Sequence, residues 1–192
     1  TLAMQKGMAV NLYLEDWSSG MKDSPDYVFK MMDALVESGI KRFLLPDTLG
    51  ILNPMEVTKY FGQMVERYPD TNFEFHAHND YDLAVANSLA AVVSGASGLH
   101  VTVNGLGERC GNAPLASVQV ILKDMFEAKT NIKEDRLNDI SRLVEGYSGI
   151  AVAPNTPVVG DNVFTQVAGV HADGDNKDKL YCNDLVPERF GR

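Results

Sequence analysis

The chain has 192 residues, of which 45% are hydrophobic and 22% are charged, a composition typical of a folded globular protein with one sizeable core. Its net charge is −9 and its pI is near 4.8. This acidic balance argues against nucleic acid as a partner, because phosphate binding needs clustered Lys and Arg.

The first part of the chain alternates between short apolar segments and amphipathic helical patterns. Met8–Leu14 predicts a strand, and Ser24-Pro25-Asp26 predicts the start of a helix that Gly39 ends. Further strands are predicted at Lys41–Leu45, Asn72–Ala77 and Gly98–Val103, and further helices from Asn53-Pro54, from about Asp82 to Ser94 and from about Ala113 to Ala128. Four βα units in succession predict a parallel sheet covered by helices.

Polar residues cluster directly after each of the predicted strands, at residues 15–16, 47–48, 76–80 and 104–112. Functional groups at the carboxyl ends of parallel strands are typical of a (β/α)₈ barrel, although an open doubly wound sheet also binds ligands there. A complete barrel usually needs roughly 250 residues. We therefore expect residues 1–130 to form part of a barrel that carries a metal site.

The pattern changes after residue 130. A helix is predicted from about Glu134 to Gly149, and residues 153–184 are rich in Gly, Pro, Asn and Asp and predict little regular structure. We expect residues 131–192 to form a linker helix and a small, mostly helical or irregular subdomain. His171 lies in this polar stretch, with Tyr181 ten residues later. Such a pair can transfer protons, but a lone loop histidine is usually a surface residue, so the residues alone leave it unassigned.

The strongest chemical signal is the segment Phe75-His76-Ala77-His78-Asn79-Asp80. Residues two apart on a strand point to the same face, so both imidazoles converge near one point. Neutral imidazole binds Zn²⁺, Mn²⁺ and similar ions well. The alternative is a histidine pair on a solvated strand face, but two unpaired histidines inside a buried sheet would be unfavourable. The spacing therefore predicts that His76 and His78 are metal ligands.

The second signal is the glycine-rich segment from Asn104 to Asn112, with the sequence NGLGERCGN. Its glycines allow sharp turns close to a ligand, while Glu, Arg and Asn offer contacts to a metal or an anion. Taken alone, it is an ordinary turn before a helix that Asn112 caps. Because it follows the strand next to the histidine pair, we favour a ligand-binding role, in which Arg109 contacts substrate and Asn112 lies at the metal. Nothing adjacent activates Cys110, which we interpret as structural.

The carboxylates and hydroxyls after the first two strands are less specific. Carboxylates at strand ends bind metals, act as bases or cap helices, and for Asp16 we expect a solvated or capping role. The residues alone leave Glu15 and Thr48 open.

Cysteine use and hydropathy indicate the cellular compartment. Cys110 and Cys182 do not have metal-ligand spacing, and two thiols in a chain of this size predict a reducing compartment without a disulfide framework. No apolar run reaches membrane-spanning length, and the N-terminus has no signal-peptide pattern. We therefore expect a cytoplasmic protein without a membrane partner.

Several of these motifs together resemble one enzyme family. FHAHNDYDLAVANSLAA, followed by VNGLGERCGNAPL, with PDTLG and GVHADG elsewhere, is similar to the acyl-CoA-dependent Claisen-condensing synthases. These include the 2-isopropylmalate, homocitrate and citramalate synthases, within a metallolyase group that also contains hydroxymethylglutaryl-CoA lyase. The resemblance implies that this chain holds strands five to eight of the barrel, and that it acts in condensing acetyl-CoA with a 2-oxo acid.

The resemblance also implies roles for individual residues. His76, His78 and Asn112 would hold a divalent Zn²⁺, Mn²⁺ or Mg²⁺ ion, and Thr48 would bind the substrate carboxylate. Glu15 would act with a His and a Tyr from the partner subunit of a homodimer in deprotonating the acetyl-CoA methyl group. In this chain those two residues would be His171 and Tyr181.

Two departures from the family pattern matter. The family's first strand carries an Asp-Arg-Glu motif that supplies an Asp metal ligand, and this chain has no such strand, so we expect an incomplete catalytic site. Tyr13-Leu14 also stands where the family usually has Ser-Pro before the glutamate. Our first expectation for the substrate is 2-oxoisovalerate, which gives 2-isopropylmalate in leucine biosynthesis. The alternatives are a homocitrate or citramalate synthase, a lyase-like enzyme, or an inactive half-barrel.

Overall fold

The computed structural model describes residues 2–178, 180–181 and 183–192. The chain divides into two compact units, of which the first ends at Val118 and the second begins at Gln119. The domain boundary near residue 130 stays a prediction.

The first unit is built on a parallel sheet of four strands in the order β1-β2-β3-β4. Each strand pairs with its neighbours in sequence, as in a (β/α) barrel wall. The prediction of four consecutive parallel strands is therefore confirmed. The strands are β1 Asn11–Tyr13, β2 Arg42–Asp47, β3 Asn72–Ala77 and β4 Gly98–His100.

Helices follow the strands as the sequence predicts. The helix after β2 begins with a capping box, in which the Asn53 side chain accepts from the Glu56 backbone N–H and the Glu56 side chain accepts from the Asn53 N–H. Two short helices, α1 and α2, were not predicted. The helices are α1 Leu2–Gln5, α2 Trp17–Asp23, α3 Pro25–Glu37, α4 Pro54–Arg67, α5 Ala84–Val93 and α6 Leu115–Phe126.

Alternation along β3 separates the core from the site. Phe73 and Phe75 are buried, and both rings contact Phe61 of α4 with centroids 6.3 and 5.9 Å apart. The alternate residues of the strand, Glu74 and His76, point to the opposite face of the sheet. Aromatic packing behind the strand therefore fixes the direction of the side chains in front of it.

Several strand limits differ from the prediction. β1 is shorter than predicted, at Asn11–Tyr13 instead of Met8–Leu14, and β2 begins one residue later. β2 continues through Pro46 to Asp47, because it pairs with β3 along its whole length. β4 ends at His100 instead of Val103, and residues Val103–Gly105 form a short 3₁₀ helix in which Asn104 has a φ of 58°. The chain therefore leaves the sheet early and turns above its carboxyl edge.

The second unit contains more regular structure than we predicted. A 3₁₀ turn, Glu134–Arg136, leads into α7 (Leu137–Ser148), and Gly149 ends that helix with a φ of 69°. The polar stretch contains a further helix, α8 (Gly169–Asp178), so His171 lies on a helix and the prediction of a loop was wrong. The unit ends with a 3₁₀ turn, Pro187–Phe190.

Buried charge holds the second unit together. Glu134, 6% exposed, accepts from Arg189 at 2.8 Å and from Lys123 at 2.6 Å. Arg189 also donates two hydrogen bonds to Asp124.

Within the described part of the chain, no helix is long and apolar enough to cross a membrane.

Candidate metal and substrate site

His76 on β3 and His78 directly after it converge, as their spacing predicted. The Nε2 atoms of His76 and His78 lie 3.3 Å apart, and the rings meet edge to face with centroids at 5.0 Å. The Nδ1 atoms of both rings are buried without a hydrogen-bond partner. A cation between the two rings could accept the lone pairs of both Nε2 atoms, and this would favour the close approach of the imidazoles.

His76 is held in the form that binds metals. Burial, together with the nearby His78 and His100, lowers its pKa from 6.5 to about 4, and the charge of Glu15 opposes this shift. At neutral pH its ring is therefore uncharged and has a free lone pair. No proton has to leave His76 before a cation binds there.

Asn112 joins the histidines from the turn after β4. Its backbone forms a bridge with His78, and its side-chain amide lies 3.2 Å from His76 Nε2. The nitrogen of the amide faces the histidine, and a half-turn about the terminal bond would present its oxygen to the same point. The residue is 5% exposed, so the surrounding turn fixes its position.

Glycines are required by the shape of that turn. A Cβ at Gly107 would collide with the Asn112 side-chain oxygen, and a Cβ at Gly111 would collide with the Gly105 carbonyl. Gly111 also has a φ of 81°, which L side chains rarely adopt. The glycine-rich segment is thus built around the amide of Asn112.

These donors fit a divalent cation as a partial ligand set. Two imidazoles and an amide supply the nitrogen and oxygen ligands that Zn²⁺ or Mn²⁺ takes. Among the residues described, no cluster of three or more His, Cys, Asp or Glu forms a metal site by itself.

Glu15 and Thr48 form a pair after β1 and β2. The Thr48 hydroxyl donates to Glu15 Oε1 at 2.8 Å and accepts from the Asp16 backbone N–H at 3.0 Å. Both hydrogen-bonding functions of Thr48 are therefore used within the chain, and they orient the glutamate. Asp16 begins α2 but makes no side-chain cap; it accepts from Ser19 instead.

Arg109 ties neighbouring loops together. Its Nε and Nη2 donate to the two carboxylate oxygens of Asp80 at 2.7 and 2.9 Å, and Nη2 also donates to the Thr48 carbonyl at 2.7 Å. The sequence predicted that Arg109 would contact substrate; the structure places its guanidinium on Asp80. Through these bonds the loops after β2, β3 and β4 are joined.

A second polar group on the inner face of the sheet was missed by the sequence analysis. Glu74 accepts from His100 Nε2 at 2.8 Å and from Arg42 Nε at 2.6 Å, and His100 Nδ1 lies 2.7 Å from the Tyr13 hydroxyl. One signal was available. Glu74 is a charged residue between the apolar Phe73 and Phe75, two residues before His76 and therefore on the same face.

His171 and Tyr181 are brought together in the second unit, with ring centroids 4.5 Å apart. Gly174 of α8 makes room for this contact, because a Cβ there would lie 2.6 Å from the tyrosine ring. Cys110 is an exposed free thiol, and Cys182 lies outside the described residues.

Comparison with solved structures shows the barrel fold. HMG-CoA lyase from Bacillus subtilis has a TM-score of 0.69 and 26% identity over 78% of this chain and 53% of its own. Hydroxymethylglutaryl-CoA lyase from Pseudomonas aeruginosa has a TM-score of 0.68 and 22% identity over 79% of this chain and 53% of its own. The structure is thus a parallel α/β sheet of the kind found in part of such a barrel, with its polar site at the carboxyl edge.

Sequence comparison identifies the family. The HMGL-like family matches residues 1–144, so the chain belongs to the HMGL-like family. A putative (R)-citramalate synthase and a probable 2-isopropylmalate synthase, both from Methanopyrus kandleri, are each 39% identical over 98% of this chain and 37% of their own length. A homocitrate synthase from Sulfurisphaera tokodaii is 40% identical over 99% of this chain and 40% of its own. The chain spans about two fifths of these relatives' length, and the predicted synthase resemblance is confirmed.

Proposed function

We propose that the full-length protein that carries this chain catalyses a metal-dependent Claisen condensation of acetyl-CoA with a 2-oxo acid. The convergence of His76 and His78, with Nε2 atoms 3.3 Å apart beside the Asn112 amide, is the observation that carries this proposal. The synthase names of the relatives support it. We further propose a cytoplasmic homodimer without nucleic-acid or membrane partners.

The proposed reaction forms one carbon–carbon bond. A base removes a proton from the acetyl-CoA methyl group, and the methyl carbon attacks the keto carbon of the 2-oxo acid, whose oxygen takes up a proton. Water then cleaves the thioester and releases CoA. A divalent cation held by His76, His78 and Asn112 would polarise the keto group as a Lewis acid.

The chain's own residues supply positioning and proton transfer. Glu15 lies at the carboxyl edge of the sheet, where the Thr48 hydroxyl holds its Oε1 at 2.8 Å. In this proposal Glu15 acts with His171 and Tyr181 of the partner subunit on the methyl proton. When substrate binds, the Thr48 hydroxyl turns from Glu15 to donate to the substrate carboxylate. The 4.5 Å contact between the His171 and Tyr181 rings supports a joint role for them.

For the 2-oxo acid we propose 2-oxoisovalerate, which gives 2-isopropylmalate and places the protein in leucine biosynthesis. The relatives carry three different substrate names at 39 to 40% identity, so pyruvate and 2-oxoglutarate are the competing substrates. The alternative reaction is that of a lyase, which would cleave hydroxymethylglutaryl-CoA.

One assay tests the proposal. The full-length protein is supplied with acetyl-CoA and, separately, 2-oxoisovalerate, 2-oxoglutarate, pyruvate or oxaloacetate, and CoA release is followed with and without a chelator. We expect turnover with 2-oxoisovalerate that chelation abolishes and Zn²⁺, Mn²⁺ or Mg²⁺ restores. Turnover that survives removal of the metal would contradict the metal site, and turnover confined to pyruvate would contradict the isopropylmalate assignment. Cleavage of hydroxymethylglutaryl-CoA without condensation would favour the lyase.

A further inference from the structure

A buried asparagine of α5 reaches the loop between β2 and α4. Asn87 is 1% exposed, and its side-chain Nδ2 donates to the Leu52 carbonyl at 2.7 Å. Its Oδ1 is buried and has no hydrogen-bond partner among the described residues. Burying an unpaired acceptor is unfavourable, so packing alone does not account for an amide at this position. The bond to the Leu52 carbonyl is therefore the feature of Asn87 that needs an explanation.

The loop that Asn87 reaches is closed by a buried carboxylate. The two oxygens of Asp47 accept from the backbone N–H groups of Ile51 and Leu52, at 3.0 and 3.1 Å. Leu52 is thus bound on both sides, through its N–H by Asp47 and through its carbonyl by Asn87. Thr48 lies inside this turn, directly after Asp47. A shift of Leu52 would therefore move the turn that sets the position of Thr48.

The start of α5 is fixed to the segment that carries the paired histidines. Asn79 directly follows His78, and its side chain accepts from the N–H of Ala84, the first residue of α5, at 3.0 Å. Asn87 follows Ala84 by three residues on the same helix, and this helix also packs on β3. A helix is a rigid element, so groups attached to its first turn keep a constant separation. One turn of α5 therefore connects the histidine segment to the loop of Thr48.

We propose that Asn87 is a positioning residue of the condensation. Through Leu52 it holds Thr48 at a fixed separation from the paired histidines, so that one 2-oxo acid reaches the bound cation and the Thr48 hydroxyl together. This inference rests on the proposed function and deepens it, because it gives a buried helix residue outside the site a part in binding the substrate carboxylate. Asn87 itself touches no substrate and acts through the loop.

The test compares Asn87→Leu with Ser88→Ala in the full-length protein. Leucine fills the space of the amide but cannot donate to Leu52, and Asn87→Ala is the second variant if Asn87→Leu does not fold. Ser88 is the matched control, because it is also 1% exposed but its hydroxyl donates within α5, to the Ala84 carbonyl. We expect Asn87→Leu to lower kcat/KM for the 2-oxo acid about tenfold to a hundredfold, while the KM for acetyl-CoA and the bound metal change little. Ser88→Ala should change none of these quantities.

Two further measurements separate positioning from a purely structural role. Amide hydrogen exchange follows the loop without turnover, and in Asn87→Leu we expect exchange over residues 48–53 to become about tenfold faster, with chelator present as well. Ser88→Ala should leave this exchange unchanged. The second measurement is the activity of Thr48→Ala with and without Asn87→Leu. Because Asn87 acts through Thr48, the double variant should lose little more activity than Thr48→Ala alone.

The outcomes distinguish this inference from the proposed function. If the unaltered, metal-loaded protein turns over none of the 2-oxo acids, the proposed function fails and the inference fails with it. If it turns them over but Asn87→Leu leaves kcat/KM or the exchange of the loop unchanged, the inference alone is overturned. Losses that multiply in the double variant, or a KM for acetyl-CoA that rises equally, would assign Asn87 a structural role instead.

Discussion

Arg109 donates hydrogen bonds to both carboxylate oxygens of Asp80, and the same guanidinium donates to the Thr48 carbonyl at 2.7 Å. Because Thr48 in turn holds Glu15, this ion pair is linked to the proposed base by a short series of hydrogen bonds. Arg109 itself sits at a φ of 54°, a backbone conformation that the turn imposes on it. The pair therefore belongs to the framework of the site.

The first prediction separates this framework role from substrate binding by Arg109. Lysine cannot reproduce the two parallel hydrogen bonds, so we expect Arg109→Lys to lower kcat/KM by about tenfold to a hundredfold. Asp80→Ala should cause a similar loss, and the double variant should be little worse than either one. If Arg109 bound substrate directly, Asp80→Ala would leave activity largely intact. Steady-state kinetics of the full-length protein decides between the two.

The second prediction concerns the turn around Asn112. The Cβ of Gly107→Ala would displace the Asn112 amide, so we expect metal affinity to fall about tenfold to a hundredfold while the fold is kept. Gly62→Ala on α4 is the matched control, because its Cβ would have nothing within 4 Å. Metal content after dialysis, measured by atomic emission, checks both variants. Equal metal retention in the two would contradict the role given to Asn112.

The third prediction follows from the pKa of His76, which is about 4 in the folded chain against 6.5 in a free side chain. Between these values the unfolded state binds the proton more readily, so without metal the free energy of unfolding should decrease as pH falls from 6.5 to 4. His76→Gln should make this pH dependence shallower. Urea unfolding with chelator present measures it, and Asn72→Gln, at an exposed position of the same strand without a titratable group, is the control. An unchanged slope in His76→Gln would refute the assignment.

The fourth prediction concerns the buried glutamate of the second unit. The hydrogen bond from Arg189 is the largest influence on the pKa of Glu134. Together with the hydrogen bonds from Lys123 and Gln119 it outweighs the effect of burial and lowers this pKa from 4.5 to about 2. Stability from this carboxylate is present above pH 4.5 and is lost as pH falls towards 2. Glu134→Gln should lower the free energy of unfolding by about 1–3 kcal/mol at neutral pH and flatten its acid dependence. Exposed Glu188→Gln is the control in urea titrations, and equal behaviour of the two would disprove the argument.

The fifth prediction tests whether Glu15 acts with residues of the partner subunit. Homodimers of Glu15→Ala and of His171→Ala should each be inactive, whereas mixing and subunit exchange should restore about a quarter of the activity, because each mixed dimer has one intact site. Tagged subunits confirm that mixed dimers form. If confirmed mixed dimers stay inactive, the two residues act within one subunit or not at all.

Local patterns of the sequence predicted what depends on local geometry. The two-residue spacing of His76 and His78 was enough to predict that their side chains converge, because strand alternation requires it. The Tyr13–His100 contact joins residues 87 apart in sequence, and Thr48 meets Glu15 across 33 residues. Such pairs depend on strand register and loop path, which composition and periodicity do not define. The helix around His171 was missed because its glycine and acidic residues predict a loop.

The strand order of the sheet is also its order of synthesis. Because β1, β2, β3 and β4 each pair with the next strand in sequence, we expect each βα unit to dock on the preceding one as the chain leaves the ribosome. His76 and His78 would then be in place before the turn that carries Asn112 docks beside them. A chain shortened before that turn should hold both imidazoles without the Asn112 amide, because the bridge from Asn112 to His78 cannot form.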